Sequence, residues 1–269
     1  MNDVTAARPG AAGSARVVGS PADEHAVERA ASQPDGVERA VGGRVRRTGP
    51  RPEGAEKLVT LGQCARFFSS KATVRIVTPL LVLFVVLRLR EGDWTFHDVL
   101  AVVAILGLQP FTEWVIHVGV LHLKPKTLRS GRVIDLHAAK KHRFHHLHPT
   151  DPHTSFVPLA DLAVLGLAIM GVFWLVARTH GAFLTACIVG FGMLLTYEWT
   201  HFLIHTAYKP KGRYYRYIWR AHRWHHYRNE HYWMGVTVHV ADHLLGTFPD
   251  KSEVPSSPTA RTLGVEPAG

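Results

Sequence analysis

Two histidine-rich pentapeptides carry the chemistry that stands out in this sequence. The first, His142-Arg-Phe-His-His, returns later in the chain as His222-Arg-Trp-His-His. In each, the imidazoles stand at i, i+3 and i+4, positions that are neighbours on one helical face. Two such helices facing each other would offer six imidazoles to a common centre. Neutral imidazole binds Fe, Zn, Cu and Ni, so the repeat indicates a metal site.

Two further histidine pairs extend this set. His201 and His205 stand at i, i+4, whereas His117 and His122 stand at i, i+5 and would not share a face of a regular α-helix. For that second pair we predict a helix end or a π-bulge. The four motifs HxxxxH, HxxHH, HxxxH and HxxHH give ten candidate ligands: His117, His122, His142, His145, His146, His201, His205, His222, His225 and His226. Ten imidazoles are too many for one ion and suit two.

Three histidines outside these motifs have simpler interpretations. A lone histidine is usually a surface or capping residue, and a basic histidine-rich loop can contact lipid headgroups. We assign His148, His153 and His231 to these categories. The doubled HxxHH motif is not explained in this way, and it favours metal binding.

Four apolar stretches must position the histidines. They cover about residues 72–87, 99–117, 162–177 and 182–204. Each approaches the ~20 apolar residues needed to cross a bilayer, and they form two pairs with short turns. The alternative is four buried helices of a soluble protein. We predict an all-α integral membrane protein with about four transmembrane helices in two hairpins, and a cytosolic helical cap holding a histidine-rich dimetal site.

The distribution of basic residues predicts the orientation. The short loops between paired spans carry Arg88, Arg90 and Arg178, whereas many more Lys and Arg residues flank the other span ends. By the positive-inside rule, both termini and the metal site face the cytoplasm, in a bacterial-type cell membrane. The net charge of +10 could also suggest nucleic acid, but no recognition motif supports that partner.

Composition divides the chain into three parts. Residues 1–56 are rich in Ala, Gly, Pro and charged residues, so we predict a disordered tail. Residues 57–250 form the catalytic domain, and residues 251–269 are predicted to be a second disordered tail. Cys64 and Cys187 lie far apart without metal-ligand spacing, so we expect neither a disulfide framework nor a cysteine metal site.

The four motifs on four spans resemble the fatty acid hydroxylase / sterol desaturase superfamily, over about residues 75–250. Within it, the sequence is most similar to the fatty acid 2-hydroxylase branch. That branch has a Glu-aromatic-x-x-His-x-x-x-x-His element, matched by Glu113, Trp114, His117 and His122. Its HxxHH-x-x-Pro-x-Asp element is matched by His142, His145, His146, Pro149 and Asp151. Its final Gly-Val-(Ser/Thr) and Asp-x-x-x-Gly-Thr elements lie at residues 235–237 and 242–247.

The resemblance implies a centre of two iron ions held by the ten histidines, which zinc could replace in purified samples. It implies O2 as co-substrate and hydroxylation of an unactivated C–H bond of a membrane lipid. The electron donor would be a separate cytochrome b5-like protein or a ferredoxin/reductase. Two alternatives remain open: a desaturase or carotenoid/sterol-type hydroxylase of the same superfamily, and a non-enzymatic metal-handling membrane protein.

Several residues are candidates to support the ligands. Glu113 and Asp242 could hold ligand N–H groups in the right tautomer, and Glu198, near His201, could do the same or pair with an interfacial cation. The extra histidines are His137, His239 and His243, which could support the ligands or be polar loop residues. A set of aromatic residues could line a lipid channel or anchor the cap at the headgroups: Trp219, Trp224, Tyr227, Tyr232 and Trp233.

Overall fold

The computed structural model describes residues 58–265, which are mostly helical. In chain order the helices are α1 (Leu61–Ser69), α2 (Ala72–Glu91), α3 (Phe96–Ile116), α4 (His137–Leu147), α5 (Leu159–Val176), α6 (His180–Ile204), α7 (Arg213–Tyr227) and α8 (Val240–Leu244). A small antiparallel hairpin, β1 (Lys126–Thr127) with β2 (Val133–Ile134), lies between α3 and α4. The predicted all-α fold is confirmed. The tail predicted for residues 1–56 lies outside the described residues.

Four helical segments are long and apolar enough to cross a membrane. They are Ala72–Glu91, Phe96–Leu121, Pro152–Val176 and His180–Ile204. Large apolar side chains point outward from them, as at Leu167, Leu175 and Val176, which are 71%, 83% and 70% exposed. Contiguous apolar surface of this kind suits lipid and would be a liability in water. The four predicted spans are confirmed as helices that could cross a membrane, and their exposed apolar surfaces do not fit the buried-helix alternative.

Helix α6 is the centre of the helical packing. It contacts α2, α3 and α5 along its length. The apolar core between these helices includes Val77 and Phe84 of α2, Leu162 of α5, and Leu184 and Phe191 of α6. The rings of Phe84 and Phe191 stack at a centroid distance of 5.6 Å. Because α6 touches both hairpins, it fixes the histidine-bearing ends of α3 and α6 relative to one another.

A buried ion pair joins the same helices at their other ends. Arg88 of α2 is fully buried, and its Nη2 lies 2.8 Å from Oδ1 of Asp98 in α3. Thr185 of α6 donates to the same oxygen at 2.6 Å, and the N–H of Thr95 donates to Oδ2 at 2.8 Å. A buried charge is stable only when paired and hydrogen-bonded. This cluster therefore ties the first hairpin to α6.

Residues 251–265 differ from the disordered tail that composition predicted. Val254 is buried in a cluster with Trp233. Arg261 donates to the backbone carbonyls of His146 and Leu147 at 2.9 and 2.5 Å. These contacts offset the ordering entropy of a segment that is poor in apolar residues. Composition does not reveal them, because they depend on carbonyls at the end of α4.

Candidate metal centre

All ten predicted ligands come together, in two groups of five. The first group is His117, His122, His142, His146 and His225. The second group is His145, His201, His205, His222 and His226. Within each group, one nitrogen of every imidazole lies within 4.8 Å of the others. The arrangement therefore offers two ion-sized sets of donors, in line with the two metal ions that ten imidazoles predicted.

The two HxxHH helices each contribute to both groups. In α4, His142 and His146 belong to the first group and His145 to the second. In α7 the assignment is the opposite: His225 belongs to the first group, and His222 and His226 belong to the second. Residues at i and i+4 differ by only about 40° around a helix, whereas adjacent residues differ by about 100°. The paired HH of each motif therefore points its two rings at different groups.

The i, i+5 spacing of the first motif has a structural counterpart. Residues His117–Leu121 form a π-helical turn at the end of α3. The N–H of His122 donates to the carbonyl of His117 at 3.1 Å. The two rings then lie 4.8 Å apart, the same separation as between His201 and His205 in regular α-helix. The predicted π-bulge is confirmed, and it places an i, i+5 pair where an i, i+4 pair would lie.

Burial keeps these imidazoles neutral. Nine of the ten are buried, and His122 is partly exposed. Burial lowers the pKa of His146 and of His225 to about 3, and it lowers the pKa of His222 well below the ordinary value. At neutral pH their ring nitrogens therefore carry lone pairs that can bind a metal.

Backbone carbonyls fix the tautomers of four ligands. Nδ1 of His117 donates to the carbonyl of Met234 at 2.6 Å, and Nδ1 of His225 to that of Tyr232 at 2.8 Å. His146 and His201 donate in the same way to Ala260 and Ser155, both at 2.8 Å. A carbonyl only accepts, so each Nδ1 holds the proton and each Nε2 presents a lone pair.

Those lone pairs converge without donors between them. Nε2 of His122, His146, His201 and His225 is buried and has no hydrogen-bond partner among the described residues. Nε2 of His117 faces Nε2 of His142 at 3.2 Å, and His145 faces His205 in the same way at 3.2 Å. Lone pairs held this close in a dry site need a cation to stabilise them. The donor set therefore fits two metal ions with imidazole ligands.

Glu113 holds a loop rather than a ligand histidine. Its carboxylate accepts from the backbone N–H groups of Val236 and Thr237, from the Thr237 hydroxyl at 2.6 Å and from Gln109 at 2.6 Å. The loop that it holds contains Met234, whose carbonyl orients His117. Glu113 therefore supports the first group through the backbone, not through the direct contact we expected.

Glu198 repeats this arrangement in the second group. It is fully buried, and its Oε1 accepts from the N–H of Val157 at 2.8 Å. Two residues earlier, the carbonyl of Ser155 accepts from His201. The carbonyls that orient His117 and His201 therefore each lie two residues before an amide held by a carboxylate. Oε2 of Glu198 is buried without a hydrogen-bond partner among the described residues.

Asp242 organises the loop that supports the first group. It accepts from the N–H groups of Met234 and Gly235 at 2.9 and 2.7 Å, and from Nδ1 of His239 at 2.8 Å. A Cβ at Gly235 would lie 2.2 Å from the carbonyl oxygen of Val238, so only glycine fits there. Asp242, like Glu113, reaches the ligands through carbonyls and not by direct contact.

Three other residues predicted near the site, His137, His243 and Trp233, make contacts elsewhere. His137 pairs with Asp161 at 2.8 Å and His243 with the hydroxyl of Tyr217 at 2.9 Å, so neither hydrogen-bonds to the ten. Trp233 is fully buried beside Val254, so it neither lines a channel nor reaches headgroups. Sequence reasoning missed the orienting carbonyls, because every residue has one and no side-chain signal marks them.

Comparisons with known proteins agree with this geometry. A model of the fatty acid hydroxylase family matches residues 102–247. The dihydroceramide fatty acyl 2-hydroxylases FAH1 and FAH2 of Arabidopsis thaliana are 30% identical over 142 residues and 27% identical over 159 residues. These matches cover 52% and 58% of this chain, and 56% and 63% of the relatives. The chain thus spans less than two thirds of the length of either relative.

The fold is also similar to a solved structure. That structure is described as full length scs7p with only the hydroxylase domain visible. The similarity has a TM-score of 0.57 at 18% sequence identity, and it covers 80% of this chain and 76% of the other. At that identity it indicates a shared fold, and it extends beyond the segment matched by the family model.

Proposed function

Because the chain belongs to the fatty acid hydroxylase family, we propose that it is a membrane-bound, O2-dependent di-iron hydroxylase of a lipid acyl chain. The observation that carries this proposal is the convergence of ten imidazoles into two groups of five. No amino-acid side chain can oxidise an unactivated C–H bond, so a bound metal must supply that chemistry. When bound, two iron ions would supply the activation of O2.

The chain's own residues would prepare the ligands. The carbonyls of Met234, Tyr232, Ala260 and Ser155 keep the proton on Nδ1 and leave Nε2 free. Glu113, Asp242 and Glu198 hold the loops that carry three of those carbonyls. Partners of this kind typically change metal affinity or activity by about 10- to 100-fold when removed.

The apolar surface near the second group would receive the acyl chain. A cavity of about 90 Å³ lies between α5 and α6 and is lined by apolar residues that include Val157, Met170 and Phe173. Val157 is the residue whose N–H is held by Glu198. An acyl chain entering from the bilayer would therefore pass beside the loop that orients His201.

The overall reaction would insert one oxygen atom of O2 into a C–H bond and reduce the other to water. That balance needs two electrons and two protons from outside the substrate. We propose a separate cytochrome b5-like protein or a ferredoxin/reductase as the donor. We propose a bacterial-type cell membrane, and the distribution of Lys and Arg supports a metal centre on its cytoplasmic side.

Comparative lipid mass spectrometry tests the proposal. Cells that express the protein aerobically should contain lipids heavier by one oxygen atom, and cells that express His225→Ala should not. His231→Ala is the matched control, since its imidazole is 70% exposed and lies outside both groups. A loss of two hydrogen atoms would identify a desaturase instead. Unchanged lipids together with altered metal uptake would contradict an enzymatic function.

A further inference from the structure

A second feature of α7 has no role in the metal centre. A cavity of about 850 Å³ lies along the first turns of this helix and the loop before it. Its lining includes four basic residues, Lys209, Arg213, Arg216 and Arg220, and no acidic residue. We call this feature the basic cavity.

The basic cavity gathers four exposed cations that have no partner within residues 58–265. All four side chains are exposed, and none makes a hydrogen bond or ion pair within residues 58–265. Elsewhere in the same residues, Arg88 pairs with Asp98 and Arg143 with Asp135. Four like charges around one concavity repel each other, and an anion bound among them would relieve that repulsion.

Helix geometry separates the basic cavity from the histidines. At 100° per residue, Arg213, Arg216 and Arg220 fall within about 60° of one another around α7. His222, His225 and His226 fall on the opposite side of the helix. One face of α7 therefore serves the metal centre while the other presents guanidinium groups.

The position of the basic cavity, directly after a membrane-spanning segment, indicates that the anion belongs to the membrane. Helix α6 ends at Ile204, the last residue of a membrane-spanning segment, and Lys209 follows five positions later. Tyr214 and Tyr217 line the same cavity, and tyrosine is enriched at the membrane–water interface. Basic pockets beside span ends are suited to lipid headgroups.

We propose that the basic cavity binds the phosphate group of an anionic membrane lipid. The two tyrosines connect the basic cavity to the segment that supports the metal centre. The Tyr214 hydroxyl donates to the carbonyl of Thr237, and the Tyr217 hydroxyl bonds to His243 of α8 at 2.9 Å. Thr237 in turn donates to Glu113. A concave site suits a lipid headgroup better than the broad, flat surface of an acidic protein.

Native mass spectrometry of the full, metal-loaded chain in detergent tests this proposal without turnover. Wild-type protein should retain phosphatidylglycerol about tenfold more tightly than phosphatidylcholine, as expected for two or more Arg contacts. The variant R213Q/R216Q should lose that preference. The control R129Q/R132Q removes the same charge from exposed residues at the β1–β2 hairpin and should keep it.

Three results would overturn the proposal. The first is equal retention of the two lipids by wild-type protein, or an unchanged preference in both R213Q/R216Q and a second variant, K209Q/R220Q. The second is displacement of phosphatidylglycerol by millimolar inorganic phosphate, which would identify a site for free phosphate. The third is weaker binding of an acidic donor protein by R213Q/R216Q with unchanged lipid retention, which would identify a protein-docking surface. Since no turnover is measured, failure of the proposed function would leave this test intact.

Discussion

The two histidine groups share one design and differ in how firmly it is held. In the first group, Glu113 binds two backbone amides and two side chains. In the second, Glu198 binds one amide and keeps a buried oxygen without a partner among the described residues. In the first group a π-helical turn aligns His117 with His122, whereas in the second His201 and His205 stand at i, i+4 where α6 ends.

Two groups with equivalent ligand geometry can therefore differ in the number of hydrogen bonds that hold their supporting loops. A carboxylate with all its acceptor positions filled fixes the loop that it holds, since charged hydrogen bonds are worth about 1.5–3 kcal/mol each. The loop at Ser155 and Val157 has fewer such bonds and lies beside the apolar cavity proposed for the substrate. We infer that the second group is the one that can adjust when an acyl chain enters.

The largest expected effect comes from His225 and His145, each of which is the single ligand that its helix contributes to one group. His225→Ala removes a first-group ligand from α7, and His145→Ala removes a second-group ligand from α4. Each variant should lower the metal content from about two ions to about one, because the other group keeps its five imidazoles. Elemental analysis of purified protein checks this. Complete metal loss in either variant would show that the groups are not separable.

An intermediate effect should distinguish the two carboxylates. Glu113→Gln places an amide against Gln109 and Thr237, both of which are donors, so metal affinity should fall toward 100-fold. Glu198→Gln keeps an oxygen for Val157 and puts the amide where Oε2 has no partner, so its effect should stay within a few-fold. Competition with a chelator measures both affinities, and equal losses would contradict the proposed difference in support.

A smaller effect than that of Glu113→Gln should come from the C-terminal segment, which supports only the first group. Truncation after Ser256 removes the Ala260 carbonyl that orients His146. We expect about a tenfold loss of metal affinity, confined to one of the two ions. Chelator titration should then show one weakened and one unchanged step. A truncation that removes only residues 266–269 is the control, and two equally weakened steps would contradict the assignment of this segment.

The features that the sequence predicts correctly depend on local periodicity. The spacing of histidines along α4 and α7 is a property of one helix, as is the extra residue between His117 and His122 that requires a π-helical turn. The apolar length of the spans is equally local.

What the sequence did not predict depends on contacts between distant segments. The division into two groups follows from how α4 faces α7, which no single helix specifies. The carbonyls of Met234 and Ala260 have no side-chain signature. Residues 251–265 looked disordered because the contacts that hold them are made with earlier segments of the chain, at Trp233, His146 and Leu147.

Because α4 and α7 each contribute ligands to both groups, the order of synthesis decides when the metal sites can form. A ribosome delivers the chain from its N-terminus, and the first group stays incomplete until His225 has been synthesised. The second group completes one residue later, at His226. Both hairpins must therefore be inserted before either set of five imidazoles exists. Metal delivery to a nascent chain would find only partial sites, so loading belongs to a late stage of biogenesis.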